Sequence, residues 1–146
     1  MPTVEVNLHI DAPAEDVWHA VTRIEDYPDY MSSVRSTTVR EVTGQSRVSE
    51  WSVLLKGSIL EWVEQDKVDD ATWTMTFHQL SGDLDHFEGY WKVAPDARGG
   101  SLVTFLVEFE VGIPLLADML DPVASKALRD NAEQMLTAIE QRVVRS

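Results

Sequence analysis

The 146-residue sequence contains no cysteine. That excludes disulfides, thiolate nucleophiles and cysteine-ligated metals. It also lacks any run approaching the ~18 apolar residues that a membrane-spanning helix requires. The first residues, Met-Pro-Thr-Val-Glu-Val, have no basic stretch ahead of an apolar one. No signal peptide is therefore expected, and a cytoplasmic location is. Basic residues are few: 12 Lys and Arg stand against 25 Asp and Glu, for a net charge of −13. Such a surface repels phosphate backbones and anionic headgroups, which disfavours nucleic-acid binding. Its ordinary consequence is solubility, with an acidic face for a basic partner as the rarer alternative. There is no Gly-rich phosphate loop, no Ser-His-acid order and no nucleophile elbow, and no internal repeat or Pro/Ser linker interrupts the chain.

What is present is enough for a core: 44% of the residues are hydrophobic and 25% charged, in a length that suits one domain spanning residues 1–146. Thr3 to Ile10 alternates Val4, Val6, Leu8 and Ile10 with polar residues, the pattern of a half-buried strand. Asp11-Ala12-Pro13 then opens a helix, capped by Asp11 or Ala12 with Pro13 in the first turn, and Val17, Trp18, Val21 and Ile24 follow at helical spacing. A second short helix is expected over Ile24 to Met31, interrupted at Pro28.

From Val34 to Val111 the pattern is strand after strand. The strands read Val34–Val42, Val48–Leu55, Ile59–Gln65, Trp73–His78, Phe87–Val93 and Leu102–Val111, separated by Gly-, Asp- and Ser-containing turns. Trp51, Val53 and Leu55 share one face; so do Val103, Phe105, Val107, Phe109 and Val111. Pro114 ends the sheet. An apolar stripe at helical spacing then runs from Leu116 through Leu120, Val123, Leu128, Met135, Leu136 and Ile139 to Val143, and the long helix is expected to begin at Pro122. The fold class is α+β: a curved antiparallel sheet of about seven strands, two short helices, and one long C-terminal helix across the concave face.

This order, with the stretches Ile10-Asp11-Ala12-Pro13-Ala14-Glu15-Asp16-Val17-Trp18, Asp26-Tyr27-Pro28, Leu60-Glu61-Trp62-Val63, Gly89-Tyr90-Trp91-Lys92-Val93 and Phe109 through Pro114, resembles the polyketide cyclase/dehydrase and coenzyme Q-binding branch of the START-like (SRPBCC) helix-grip superfamily. The likeness covers nearly the whole chain. It implies a deep cavity between sheet and helix that takes a hydrophobic or polycyclic aromatic ligand. The strand Leu60-Glu61-Trp62-Val63-Glu64 is similar to one in the tetracenomycin-type aromatase/cyclases, and the resemblance turns Leu60, Trp62, Glu64 and Asp66 toward the cavity. Two arginines of that pattern are replaced here, one by Asp66 and one by His78.

The sharpest candidates for acid–base chemistry are Glu64 and His78. In an apolar chamber, desolvation raises a glutamate's pKa and lowers a histidine's, and either group is then expected to exchange a proton with a ligand hydroxyl or enol near neutral pH. For His78 two readings compete. The resemblance turns it inward, whereas ordinary patterning buries Trp73, Met75 and Phe77 and leaves His78 outside. Tyr27 and Tyr30, expected near the cavity mouth, complete the candidate catalytic set. Trp51, Leu60, Trp62, Asp66, Trp91, Phe105 and Phe109 are the expected ligand contacts. His78 and His86 flank the turn at Gly82 with Asp83 and Asp85 nearby, but their spacing matches no metal motif, so no metal and no cofactor is expected.

Three functions compete. One is a cofactor-independent cyclase or aromatase that closes a polyketide chain by aldol addition and dehydration. Another is a non-catalytic carrier of a lipid or polyprenyl quinone. The third is an interaction protein, against which, for RNA, the negative charge speaks. The expected partners are the ligand itself and, beyond it, an acyl carrier protein or a second copy of the chain.

Overall fold

The computed structural model describes residues 2–55, 57–110 and 117–145, the side chains of 117–121 and of 145 excepted. Seven strands form one antiparallel sheet: β1 (Thr3–Ile10), β2 (Val34–Thr43), β3 (Ser46–Leu55), β4 (Ser58–Asp69), β5 (Thr74–Gly82), β6 (His86–Pro95) and β7 (Ser101–Glu110). Their spatial order is β1-β7-β6-β5-β4-β3-β2, so each chain-adjacent pair from β2 to β7 is a hairpin and β1 closes on β7. The helices are α1 (Ala14–Thr22), α2 (Tyr27–Tyr30), joined to α1 through a 3-10 turn at Ile24–Asp26, and α3 (Ala117–Arg145). No helix among the described residues is long and apolar enough to cross a membrane.

The concave face carries alternate residues of every strand, and the apolar ones make a single core with Val17, Trp18 and Val21 of α1 and Leu128, Leu136 and Ile139 of α3. The period-two alternation read in the sequence is the cause: a pleated strand sends every second side chain to the same face. At Gly89 a Cβ would come 1.8 Å from the Leu106 carbonyl oxygen. Only glycine allows β6 and β7 to approach so closely there.

Several element bounds differ from the pattern-based ones. Helix α1 is capped by Pro13, with no side-chain cap; its carbonyl accepts from the Asp16 and Val17 amides. Tyr27, although it precedes Pro28, is helical at φ −52° and ψ −43°, because the proline occupies a first-turn position of α2, where its missing N–H is not needed. Trp73 is not on β5: at φ +51° it stands in the β4–β5 turn, in the left-handed region that an extended strand cannot use. Helix α3 starts at Ala117 rather than Pro122, which lies inside it. Lys56, Val111, Pro114 and Leu116 lie outside the described residues, as does the Leu120 side chain.

Candidate functional site

Between the sheet and α3 the aromatic side chains meet as a continuous set. Trp51 and Trp62 are paired across β3 and β4, and their rings stack at 5.7 Å with planes 5° apart. Trp62 leans on Phe87 at 5.1 Å, Phe77 stacks on Phe105 at 5.8 Å, and Phe105 meets Trp91 at 4.7 Å. Together these rings nearly fill the interior. The void left among them is about 40 Å³, room for a water molecule and not for a ring. The deep open cavity expected from the resemblance is thus closed by its own lining: a one-sheet, one-helix interior this rich in Trp and Phe collapses onto itself.

All residues around this void are apolar or aromatic except Glu64 and Asn131. Glu64 is buried at 4% exposure, and its Oε1 accepts from the Trp62 indole Nε1 at 2.7 Å. Two residues further along the same face of β4, Asp66 is 0% exposed. Its Oδ2 accepts from Ser49 Oγ at 2.8 Å and lies 3.5 Å from Arg47 Nε. Ser49 Oγ in turn accepts from Trp51 Nε1 at 2.9 Å. The two carboxyl groups are neighbours. Burial pushes Glu64 well above the usual carboxylate range, and the adjacent Asp66 pushes it further, outweighing the Trp62 hydrogen bond and the Arg47 charge. Asp66 Oδ1 has no hydrogen-bond partner among the described residues. A carboxyl whose neutral form burial favours, set beside one held by a guanidinium, offers a proton donor and an acceptor at one place.

The remaining candidates scatter. Of the expected ligand contacts, Trp51, Leu60, Trp62, Trp91 and Phe105 line the void, whereas Asp66 and Phe109, both fully buried, lie beside it and not on it. His78 corrects the reading taken from the resemblance: it is exposed on the convex face, because Met75 and Phe77 take the inward positions of β5. Tyr27 is also corrected. It is buried rather than at a mouth, and its hydroxyl donates to the Val21 carbonyl at 2.5 Å. Burial pushes that phenol well above its ordinary value, so it keeps its proton. Tyr30 faces the outer groove between the first two helices and α3, with the Arg142 guanidinium 4.5 Å above its ring. Burial pushes its phenol up to about 12.

Two functional-looking groups escaped the sequence reading. Arg47 and Ser49 share the face of Trp51, Val53 and Leu55 on β3, and Arg47 lies opposite Asp66 in register. Starting that strand at Val48 cut the alternation one residue short of Arg47. Asn131 stands three residues after Leu128 and four before Met135 on the inward stripe of α3, and its buried Oδ1 has no partner. Separately, His86, Glu88 and Glu108 on the convex face hold their donor atoms within 4.8 Å of one another. They are remote from the interior, and His86 already sits 3.2 Å from Glu88.

A family model described as polyketide cyclase / dehydrase and lipid transport matches residues 10–136. The actinorhodin polyketide synthase bifunctional cyclase/dehydratase of Streptomyces coelicolor is 26% identical over 127 residues, which cover 83% of this chain and 40% of that protein. The chain thus spans well under half of that curated relative's length. Among solved structures, TTHA0849 from Thermus thermophilus superposes with a TM-score of 0.91 at 29% identity, covering 98% of this chain and 97% of that one. The Zhui aromatase/cyclase from Streptomyces sp. R1128 superposes with a TM-score of 0.88, covering 99% and 94% of the two chains, at 18% identity. An identity that low speaks for the fold alone.

Proposed function

The chain belongs to the polyketide cyclase/dehydrase and lipid transport family, and from that premise we propose that it binds a hydrophobic or polycyclic aromatic polyketide between sheet and α3 and promotes aldol cyclisation and dehydration by acid–base catalysis. The single observation that carries this reading is the Glu64–Asp66 pair, a protonated and an anionic carboxyl set at the edge of an otherwise apolar interior.

In an aldol closure the enol carbon attacks a carbonyl carbon, a C–C bond forms, and the proton lost by the enol ends on the carbonyl oxygen. Dehydration then removes an α-proton and expels that hydroxyl as water. Each step needs a donor and an acceptor of protons. Glu64 supplies the proton to the oxygen and takes up the one the enol loses, and in dehydration it removes the α-proton and delivers it to the departing hydroxyl; Asp66, held by Ser49 and Arg47, favours the protonated form of Glu64 between the steps. The Trp62 indole fixes the Glu64 carboxyl in place, which saves reorganisation during the reaction. The aromatic walls exclude water and orient the flat, growing ring system by stacking. Because the resting void is small, the ligand enters by displacing the half-buried rim residues Leu60, Trp62 and Leu84.

The test is ring formation from a carrier-bound polyketide chain, followed by product absorbance and mass. Glu64→Gln is expected to slow it ~100-fold or more while ligand still quenches tryptophan fluorescence. If Glu64→Gln keeps full activity, the acid–base role is wrong. If the parent protein binds but never turns over such chains, the carrier reading takes its place; that reading rests on the apolar lining alone.

A further inference from the structure

We propose that the interior admits uncharged molecules bearing a hydroxyl group and rejects carboxylates of the same size, so that free fatty acids and other anionic apolar molecules are not its ligands. This rests on the ligand-binding reading above and narrows its substrate class.

Three observations carry it. Among the described residues, no Lys, Arg or His lines the void. Arg47, outside the lining, has its Nε 3.5 Å from Asp66 Oδ2 and an Nη donating to Met75 Sδ at 3.1 Å, so its charge is already taken up by a buried carboxylate. The polar atoms that do reach the void are Glu64 on the sheet side and Asn131 on the helix side. The Nδ2 of Asn131 is turned to Met135 Sδ at 3.4 Å, and its buried Oδ1 has no partner. An orphaned acceptor calls for a donor, which an alcohol or phenol has and a carboxylate lacks.

An anionic ligand would therefore place its charge against Glu64, whose neighbour Asp66 adds a second carboxyl just outside the void, in an environment walled by Trp51, Phe77, Phe87 and Phe105, with no countercharge among the described residues to meet it. A buried charge without a partner is among the most costly things a binding site can accept. The neutral ligand meets no such penalty and satisfies Asn131. Burial keeps Glu64 protonated, which removes one potential source of repulsion, but the Asp66 charge remains.

The experiment compares anthracenemethanol with anthracenecarboxylate, substituted at the same position of the central ring. At about pH 7.5 the first is neutral and the second ionised. Binding is read by quenching of tryptophan fluorescence, since Trp51, Trp62 and Trp91 surround the void. The alcohol is expected to bind at least ~30-fold more tightly, since like charges brought together in an interface cost several kcal/mol. Asp66→Asn frees the Arg47 charge and should narrow the gap about tenfold by strengthening the acid rather than weakening the alcohol. Should that variant fail to fold, Asn131→Lys supplies a cation from the helix side and is expected to narrow the gap in the same way. Equal affinities in the parent protein overturn the selectivity while leaving the cyclase reading intact. A preference that neither folded variant alters also overturns it, because the cause would then not be charge. If neither probe binds, the ligand-binding reading falls with it.

Discussion

The concave face of the sheet is made of two unlike halves. On β6 and β7 the inward row is apolar from Phe87 through Trp91 and Val93, and from Val103 through Phe105 and Val107 to Phe109, each 8% exposed or less. On β3 and β4 the same inward parity brings in Ser49 opposite Glu64 and Arg47 opposite Asp66, beside the Trp51–Trp62 pair. Helix α3 makes its most extensive contact with β1, the strand that pairs with β7 at the edge of the apolar half. Burying the polar half brings little stability: desolvating a carboxylate and a guanidinium costs about what their attraction returns, and an apolar pair of like volume often does better. The difference teaches that one half of the sheet holds the fold by apolar burial, while the other concentrates the buried polar groups on which the proposed chemistry rests.

That contrast can be broken from its strong side first. Leu136, 0% exposed on the sheet-facing side of α3, is expected to be intolerant of charge. Leu136→Asp buries an unpaired carboxylate and should cost several kcal/mol, enough to leave the protein without a cooperative thermal transition. A melting temperature within a few degrees of the parent would show that α3 is not seated as described.

The polar half gives the next effect. Arg47→Met strands Asp66 without its cation and should cost about 3–5 kcal/mol by urea denaturation. The double variant Arg47→Met, Asp66→Leu should recover most of that loss while abolishing turnover. If the double variant stays as unstable as the single one, the network is structural and the division between the halves is false.

A smaller effect follows from Glu64. Unfolded, its carboxyl titrates near its ordinary value of 4.5; folded, burial holds it well above. As pH rises past the unfolded value, the unfolded chain releases a proton that the folded chain retains. The parent therefore loses stability until pH passes the folded value. Glu64→Gln removes this penalty, so its melting temperature relative to the parent should climb as pH rises above the ordinary carboxylate range. A flat difference over that rise would mean that Glu64 is ionised in the fold.

The smallest expected effect is at His78. Exposed on the convex face, it should accept Gln with a change within about 0.5 kcal/mol and no effect on ligand binding or turnover. A slowed reaction in His78→Gln would put the working face on the wrong side of β5.

How far these roles were legible depends on how local their signal is. Strand alternation placed Leu60, Trp62, Glu64 and Asp66 on one face, and the structure puts all four there. The same rule, applied to the bulky set on β5, favoured an outward His78 over the orientation that the resemblance implied. It also pointed to Arg47 and Ser49, had the β3 alternation been followed two steps back from Trp51. The hydroxyl of Tyr27 was not legible in this way, because its partner, the Val21 carbonyl, belongs to a separate helix and is brought near only by the turn between them.

By itself the sequence determined the order of the elements, the seven strands, the amphipathic C-terminal helix and the inward parity of β4, because periods of two and of 3.6 are properties of the chain read along its length. Only the tertiary structure decided that Arg47 meets Asp66 across β3 and β4, that Glu64 is buried and protonated beside it, and that the aromatic side chains close the interior to about 40 Å³. Register, desolvation and packing depend on groups far apart in the chain, and their energies exist only once the sheet has curled and α3 lies across it.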